Sequence, residues 1–322
     1  KAKGSGKSGL IATSRPGQEV LSRTACEIGR NEITARFEVG FPAFGRTINS
    51  GELIRIFFDF LPGCVENVFF YRRQNNAEIK NRITLADDQQ FIRNELKRLD
   101  LVSFVADGSI LPRETGVSDR PMKGSVAFHS PDSLRITLNL PGHGPISGMA
   151  IHRGITLIVG GGYHGKSTLL KALESGVYNH IPGDGREYVI TDETAVKLRA
   201  EDGRSINHVD ISLFIRDLPN KKDTTCFSTA DASGSTSQAA AVIESIEAGT
   251  RAFLIDEDTS ATNFMLRDDL MQRIVSRDKE PITPFIERAR DLYKQAGIST
   301  VLVAGSSGAY FFIADTIIQM DA

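Results

Sequence analysis

Apolar residues recur with two different periods in the first part of the chain. Apolar and polar positions alternate over Ile33–Phe44, which predicts a strand. Glu52–Cys64 and Phe91–Val102 carry apolar residues at helical spacing, and Asp87 or Asp88 can cap the second of these helices. The first part of the chain is therefore predicted to mix strands with helices.

Short, strongly apolar runs separated by helical patterns follow in the second part. Such runs are typical of strands buried in a parallel sheet, and their alternation with helices predicts an α/β domain with a mostly parallel sheet. Turn-forming residues dominate up to Gly124, so we expect an N-terminal α+β domain at 1–124 and the α/β domain at 125–322. The predicted strands are Ser133–Leu140, Gly154–Gly162, Ala252–Asp258 and Ser299–Ser307.

Composition narrows the class of protein. The 322 residues are 40% hydrophobic and 24% charged, which is typical of a globular chain long enough for two domains, and no apolar run could span a membrane. The cysteines Cys26, Cys64 and Cys226 are odd in number and far apart, which argues against disulfides or zinc and favours a reducing compartment. The chain starts at Lys1 rather than Met, so we expect a trimmed sequence whose ends carry no targeting information.

Charge is divided unevenly along the chain. The formal net charge is −2, which by itself does not indicate a nucleic-acid-binding protein. Residues 1–140 hold 20 basic and 16 acidic residues, net +4, whereas residues 141–322 are net −6. Any surface that binds a polyanion is therefore predicted in the first part.

The clearest chemical motif is GGGYHGKST, which fits the Walker A pattern GxxxxGK[ST] between a predicted strand and a predicted helix. In such a phosphate loop the backbone N–H groups turn inward around phosphates, the Lys166 ammonium adds a point charge and the Ser167 hydroxyl can ligate Mg²⁺. A chance glycine turn is the alternative. The predicted nucleotide contacts are Gly160, Gly161, Gly162, Tyr163, His164, Gly165, Lys166, Ser167 and Thr168.

A second phosphate-chemistry element, of Walker B type, follows 90 residues after Lys166. The buried run AFLID places Asp256 and Glu257 at the end of a strand. Asp256 can hold Mg²⁺ through a water, and Glu257 can orient or deprotonate an attacking water. A lone acidic pair could equally be an exposed strand end, but its position after a phosphate loop favours catalysis. The two motifs together predict ATP and Mg²⁺ as cofactors.

A third element is a predicted helix start at Ser233, Gly234 and Ser235, which is either an anion site or a capped helix without a ligand. ATPases of the ABC class carry a signature whose Ser precedes the Walker B Asp by 23 residues, and Ser233 precedes Asp256 by 23. Ser260 and Asn263 resemble positions of that class's D-loop. The chain therefore resembles an ABC-type ATPase core.

The resemblance has consequences for assembly and catalysis. In ABC domains the signature closes over the nucleotide of a second chain, which implies a head-to-tail homodimer with Ser233–Ser235 acting in trans. Ser306 falls where most members have a catalytic His, so hydrolysis is expected to be slow or differently arranged. No Gln lies between Lys166 and Gln238 to serve as a Q-loop, and the candidates for that role are Glu201, Asp202 and Asp210.

Motifs along nearly the whole chain, among them RPGQEVLSRT, FVADGSILPR and EPITPFIERARDLY, are similar to the predicted "ATPase of the ABC class" family of bacteria and protists. That family includes a kinetoplastid mitochondrial, RNA-binding member associated with RNA editing, and this sequence is similar to that member. The resemblance implies a mitochondrial location, with the cytoplasm as the alternative, and a place in an RNA-editing or RNA-processing complex without a membrane partner.

Basic residues interleaved with Phe69, Phe70, Tyr71 and Phe91 suit single-stranded RNA, although a solvated amphipathic helix has the same composition. Three functions remain: an ATP-dependent RNA-binding dimer, a nucleotide-gated protein-assembly factor without a direct RNA role, and a disfavoured transporter subunit. The predicted RNA contacts are Lys3, Lys7, Arg72, Arg73, Arg82, Arg93, Lys97 and Arg98.

Overall fold

The computed structural model describes residues 2–218, 221–267, 280–305 and 307–321. The chain divides into two compact units, residues 1–86 (the N-terminal unit) and residues 87–322 (the C-terminal unit). Within the described residues, no helix is long and apolar enough to cross a membrane.

The N-terminal unit contains short strands followed by helices. β1 pairs with β5, β3 with β4 and β6 with β7, all antiparallel. The single strand predicted over Ile33–Phe44 is in fact three short strands. The helix predicted over Glu52–Cys64 extends from Ser50 to Phe69, with one π-helical stretch at Ile56–Phe60. The elements are β1 (Ile11–Ala12), β2 (Glu19–Val20), β3 (Cys26–Ile28), β4 (Ile33–Ala35), β5 (Glu38–Val39), β6 (Ala43–Phe44), β7 (Thr47–Ile48), α1 (Ser50–Arg55) and α2 (Leu61–Phe69).

The long helix α3 (Asn76–Arg98) begins in the first unit and ends in the second. It ends just before Asp100, whose φ of 54° lies in the left-handed region and breaks the helical path. Asp88 does not cap this helix as predicted. Its buried carboxylate accepts the N–H of Gly142 (2.7 Å) and contacts His143 Nδ1 (2.6 Å) in the turn between two strands.

The C-terminal unit is built on two sheets. One is antiparallel, in the order β13-β8-β10-β9, and the other is parallel, in the order β14-β17-β18-β11-β19. The strands are β8 (Leu101–Ala106), β9 (Arg135–Leu140), β10 (Gly144–His152), β11 (Ile155–Gly160), β12 (Asn179–His180), β13 (Val189–Thr191), β14 (Val196–Leu198), β15 (Ile206–Val209), β16 (Phe227–Thr229), β17 (Ala252–Asp256), β18 (Ser299–Val303) and β19 (Thr316–Met320).

Strand β8 shows that the domain boundary lies earlier in the chain than predicted. We expected the N-terminal domain to extend to Gly124, but β8 pairs with both β10 and β13 and is buried along its whole length. Residues 87–124 therefore belong with the C-terminal unit. The turn-rich sequence after β8 obscured this strand because its pairing partners lie far away along the chain.

Both faces of the parallel sheet are covered. Phe253 and Ile255 of β17 face one apolar cluster with α5 (Gly234–Glu247) and α7 (Phe285–Ala296), while Leu254 faces a second cluster with α4 (Lys166–Ser175). This alternation follows from the two-residue period of a strand and requires helices on each side. It confirms the prediction of an α/β fold with a mostly parallel sheet. The helices are α4 (Lys166–Ser175), α5 (Gly234–Glu247), α6 (Thr262–Met265) and α7 (Phe285–Ala296).

Candidate active site

The phosphate loop joins β11 to α4, as its sequence predicts. Gly165, which precedes the helix, has a φ of 81°, and a Cβ on Gly160 would lie 2.7 Å from the carbonyl oxygen of Met320. The first position needs glycine for its left-handed conformation and the second for its close approach to β19. No side chain caps the start of α4, so its first N–H groups face the loop and suit an anion.

The Lys166 ammonium is held over this loop. Its Nζ donates to the carbonyl oxygens of Gly160 and Gly161, each at 2.7 Å. Ser167 and Thr168 follow in the first helical turn and are half-buried. A cation, backbone N–H groups and hydroxyls thus surround one point at the positive end of α4.

Asp256 lies at the same edge of the parallel sheet. All five residues of β17 are buried and Asp256 ends the strand, with 5% of its surface exposed. Only β18 separates β17 from β11, and both pairings are parallel, so the carboxyl ends of the two strands share one edge. At about 4.8 Å per strand, the two strands lie about 10 Å apart.

Oxygen atoms suited to Mg²⁺ converge at this edge. The Asp256 carboxylate and the Ser167 hydroxyl are hard oxygen ligands, and Mg²⁺ is typically bound by one or two carboxylates together with waters and phosphates. No group of three or more His, Cys, Asp or Glu side chains is arranged around a metal position in the described residues. The Asp256 carboxylate and the Ser167 hydroxyl are thus of the chemical type that fits Mg²⁺ bound together with a nucleotide.

Glu257 is half-exposed beside this site, and its Oε2 accepts the backbone N–H of Gly305 at 2.6 Å. Gly305 comes two residues after β18, so the carboxylate is fixed by the loop that follows the neighbouring strand. The sequence did not identify Gly305, although a glycine directly after a buried strand is a signal for such a contact. Ser306, the predicted third catalytic residue, lies outside the described residues.

The segment Ser233–Ser235 begins α5. Ser233 is the N-cap, and its Oγ accepts the N–H of Thr236 at 3.4 Å. Ser235 is buried, and its Oγ donates to the Oδ1 of Asn263 at 2.5 Å. The signature segment and the predicted D-loop are therefore in direct contact within one chain.

Gln238, which the sequence did not identify, reinforces that contact. It is fully buried, its Nε2 donates to Ser260 Oγ (3.0 Å) and its Oε1 accepts the N–H of Ala261 (2.9 Å). Ser260 Oγ in turn donates to the carbonyl oxygen of Asp256 (2.9 Å). The sequence signal for Gln238 was its position within the apolar stripe of α5, because a polar side chain buried there needs hydrogen-bond partners.

The start of α5 lies away from the phosphate loop of its own chain. α5 packs against β14, the edge strand three places from β11, which corresponds to about 14 Å across the sheet. Two of the Q-loop candidates, Glu201 and Asp202, follow β14 at this same edge. The third, Asp210, instead accepts the N–H of Ser212 in a turn (2.9 Å).

Two family models together match nearly the whole chain. The model of the P-loop domain of ABC ATPases matches residues 75–322, and the model of the N-terminal region of ATPases of the ABC class matches residues 1–72. The chain belongs to the ABC-class ATPase family. It is a P-loop, nucleotide-binding protein of the α/β class, and the junction of the two matched regions lies near residue 73 rather than 124.

One curated protein and one solved structure illustrate what this ABC-class ATPase is similar to. An uncharacterized protein of Methanocaldococcus jannaschii is 31% identical over 239 residues, which cover 71% of this chain and 51% of that protein. The chain thus spans about half the length of the curated relative. The structure of cbiO1 from Clostridium perfringens, part of the ABC transporter complex cbiONQ, is 14% identical, with a TM-score of 0.41, over 69% of this chain and 85% of the other.

The cations predicted to contact RNA are held differently from the residues of the nucleotide site of the ATPase. Lys3 and Lys7 are exposed in the glycine-rich start. Most of the others form exposed ion pairs, which contribute little to stability because water and salt screen them. The pairs are Arg72–Glu66, Arg73–Glu66, Arg82–Glu78, Lys97–Glu193 and Arg98–Glu95.

Arg93 does not lie on the surface, contrary to the prediction. Its guanidinium donates to Asn179 Oδ1 (2.9 Å) and to the carbonyl oxygens of Thr191 (3.0 Å) and Gly176 (3.3 Å). Burial lowers the pKa of Arg93. The Arg93 side chain therefore provides hydrogen bonds to backbone carbonyl groups of the C-terminal unit and is not available to a nucleic acid.

Proposed function

We propose that this ABC-class ATPase binds Mg·ATP and hydrolyses it at composite sites formed by two copies arranged head to tail. One observation carries the proposal. The signature segment Ser233–Ser235 is tied through Gln238 to the loop after β17, on the β14 side of the sheet, and not to the phosphate loop of its own chain. A second copy would supply the signature that each nucleotide lacks.

The residues divide the reaction between them. Lys166 and the N–H groups at the start of α4 bind the β- and γ-phosphates, where their charge offsets the charge that develops as the terminal bond breaks. Ser167 and Asp256 would hold Mg²⁺, which when bound neutralises the phosphate oxygens. Glu257, fixed by Gly305, orients the attacking water and accepts its proton, so that ADP and inorganic phosphate are the products.

Light scattering tests the assembly. Glu257→Gln keeps the shape of the side chain but cannot accept the proton, so it should trap the ATP-bound state as a dimer. The same variant without nucleotide, and Lys166→Ala with ATP, should stay at lower mass. A strict monomer for Glu257→Gln with ATP would contradict the head-to-tail site.

A second function, binding of single-stranded RNA, is supported by one local feature. The guanidinium of Arg72 lies over the Phe70 ring at 5.3 Å from its centroid, and Tyr71 beside it is 65% exposed. Stacking rings next to cations are typical of single-strand recognition. Closure of the dimer around ATP would then change this surface and couple nucleotide to RNA.

ATP turnover with and without single-stranded RNA tests that coupling. An RNA-dependent change in rate supports the RNA function, whereas unchanged turnover and no RNA binding favour the alternative, a nucleotide-gated protein-assembly factor. The mitochondrial location and the RNA-editing role rest on the family resemblance and stay predictions.

A further inference from the structure

Tyr310 carries the one buried tyrosine hydroxyl without a hydrogen-bond partner in the described part of the chain. The residue is 1% exposed, and its Oη reaches no donor or acceptor within hydrogen-bond distance. Burying a hydroxyl without a partner costs free energy, and a phenylalanine ring would pack in the same space without that cost. The hydroxyl is therefore unexplained by the packing of this state.

Tyr310 is placed next to the catalytic elements. Its short 3₁₀ helix, Gly308–Phe312, starts three residues after Gly305, whose N–H holds Glu257. The Tyr310 ring belongs to the same apolar cluster as Ile255, at the end of β17, and Ala304, directly after β18. Tyr310 therefore lies in the apolar cluster that also contains residues from both strand ends near the hydrolytic residues.

The electrostatics agree with that placement. Burial raises the pKa of Tyr310, and the negative charge of Glu257 raises it further. The phenol therefore keeps its proton at neutral pH and can only act as a donor toward a carboxylate. A phenol beside a carboxylate forms a charge-assisted hydrogen bond when the two come within reach.

From these observations, and resting on the proposed function of Glu257, we infer that Tyr310 is a positioning residue for the general base. When nucleotide and water occupy the site, its hydroxyl donates to the Glu257 carboxylate and keeps that carboxylate turned toward the attacking water. No proton leaves Tyr310 in this role. The proposed hydrogen bond is not formed in the structure described above, in which the Tyr310 hydroxyl has no partner.

Tyr310→Phe separates positioning from packing, because the two roles predict opposite effects. Loss of a hydrogen bond to a charged group should lower kcat about tenfold or more, with the KM for ATP unchanged. The melting temperature should rise or stay level, because the unpaired hydroxyl is gone. Tyr178→Phe, which removes an exposed tyrosine hydroxyl, serves as the control and should leave kcat unchanged.

Unchanged kcat in Tyr310→Phe would overturn the inference. A fall in kcat together with a lower melting temperature and weaker ATP binding would also overturn it, because that pattern indicates a purely structural role. The double variant Tyr310→Phe/Glu257→Gln should be no slower than Glu257→Gln alone, since the hydroxyl acts through the carboxylate. If Glu257→Gln itself turns over ATP at the wild-type rate, the proposed function fails instead, so the two failures are distinguishable.

Discussion

The nucleotide site and the cations predicted to bind RNA differ in how the chain holds them. Asp256 ends a fully buried strand, Glu257 is fixed by a backbone N–H, and Lys166 is held by two carbonyl oxygens. Exposed cations such as Arg72 and Arg73 instead form ion pairs with Glu66, a few residues away in the sequence. The residues of the nucleotide site are held in the geometry of one ligand. The exposed cations lie on a surface whose charges are screened by salt, and a polyanion must compete with their acidic partners to bind them.

The largest effect is expected at Lys166. Lys166→Ala removes the only side-chain cation of the phosphate loop, so ATP affinity should fall about 100-fold or more. Lys171→Ala, at an exposed position of the same helix, should leave affinity unchanged. Titration calorimetry with Mg·ATP measures both. Equal affinity of Lys166→Ala and wild type would mean that this loop is not the nucleotide site.

Glu257→Gln should separate binding from chemistry. It keeps the hydrogen bond from Gly305 but loses the base, so turnover should fall about 100-fold or more while ATP binding persists. Phosphate release measures the rate, and Glu247→Gln on the exposed end of α5 is the matched control. Wild-type turnover in Glu257→Gln would mean that another residue is the general base.

Arg93 was predicted to bind RNA but is buried, so its replacement tests whether it has a structural role or an RNA-binding role. Arg93→Ala removes the buried guanidinium that donates to the carbonyl oxygen of Thr191 and to Asn179 Oδ1, so the free energy of unfolding should drop by about 3 kcal/mol. Arg98→Ala, which breaks an exposed ion pair, should leave the free energy of unfolding nearly unchanged. Urea denaturation distinguishes the two. An Arg93→Ala variant that is as stable as the wild type but binds RNA more weakly would mean that Arg93 contacts RNA.

The smallest effect is expected at Arg72 and Arg73. Their joint replacement by Ala should weaken RNA binding a few-fold and reduce the slope of log affinity against log salt by about 1.4, at about 0.7 per phosphate contact. Arg46→Ala, another exposed cation of the N-terminal unit, is the control. Fluorescence titrations over a salt series give the slope. An unchanged slope would favour a protein partner over RNA.

The comparison also shows what the sequence could predict. The strands that carry the site were recognisable because AFLI and ITLIV are buried on both faces and hence almost entirely apolar. The phosphate loop was recognisable because its glycines are required by backbone geometry. These signals are local, and each leaves its mark on adjacent residues.

The features that the sequence did not reveal depend on distant partners. Arg93 and Asp88 have the composition of a solvated helix face, yet both are buried against segments 50 or more residues away. The bond from Gly305 to Glu257 joins two strands that are neighbours only in the folded sheet. A polar residue's partner is set by topology, so its burial could not be inferred from its neighbours in sequence.

The central claim is that each nucleotide is completed by the signature of a second chain. Lys166→Ala and Ser233→Arg should each abolish turnover alone, because the first lacks the phosphate loop lysine and the second blocks the signature. In an equal mixture, half of the dimers are mixed and each holds one intact composite site, so about a quarter of wild-type activity should return. No recovery from a mixture whose subunits demonstrably exchange would contradict the composite site.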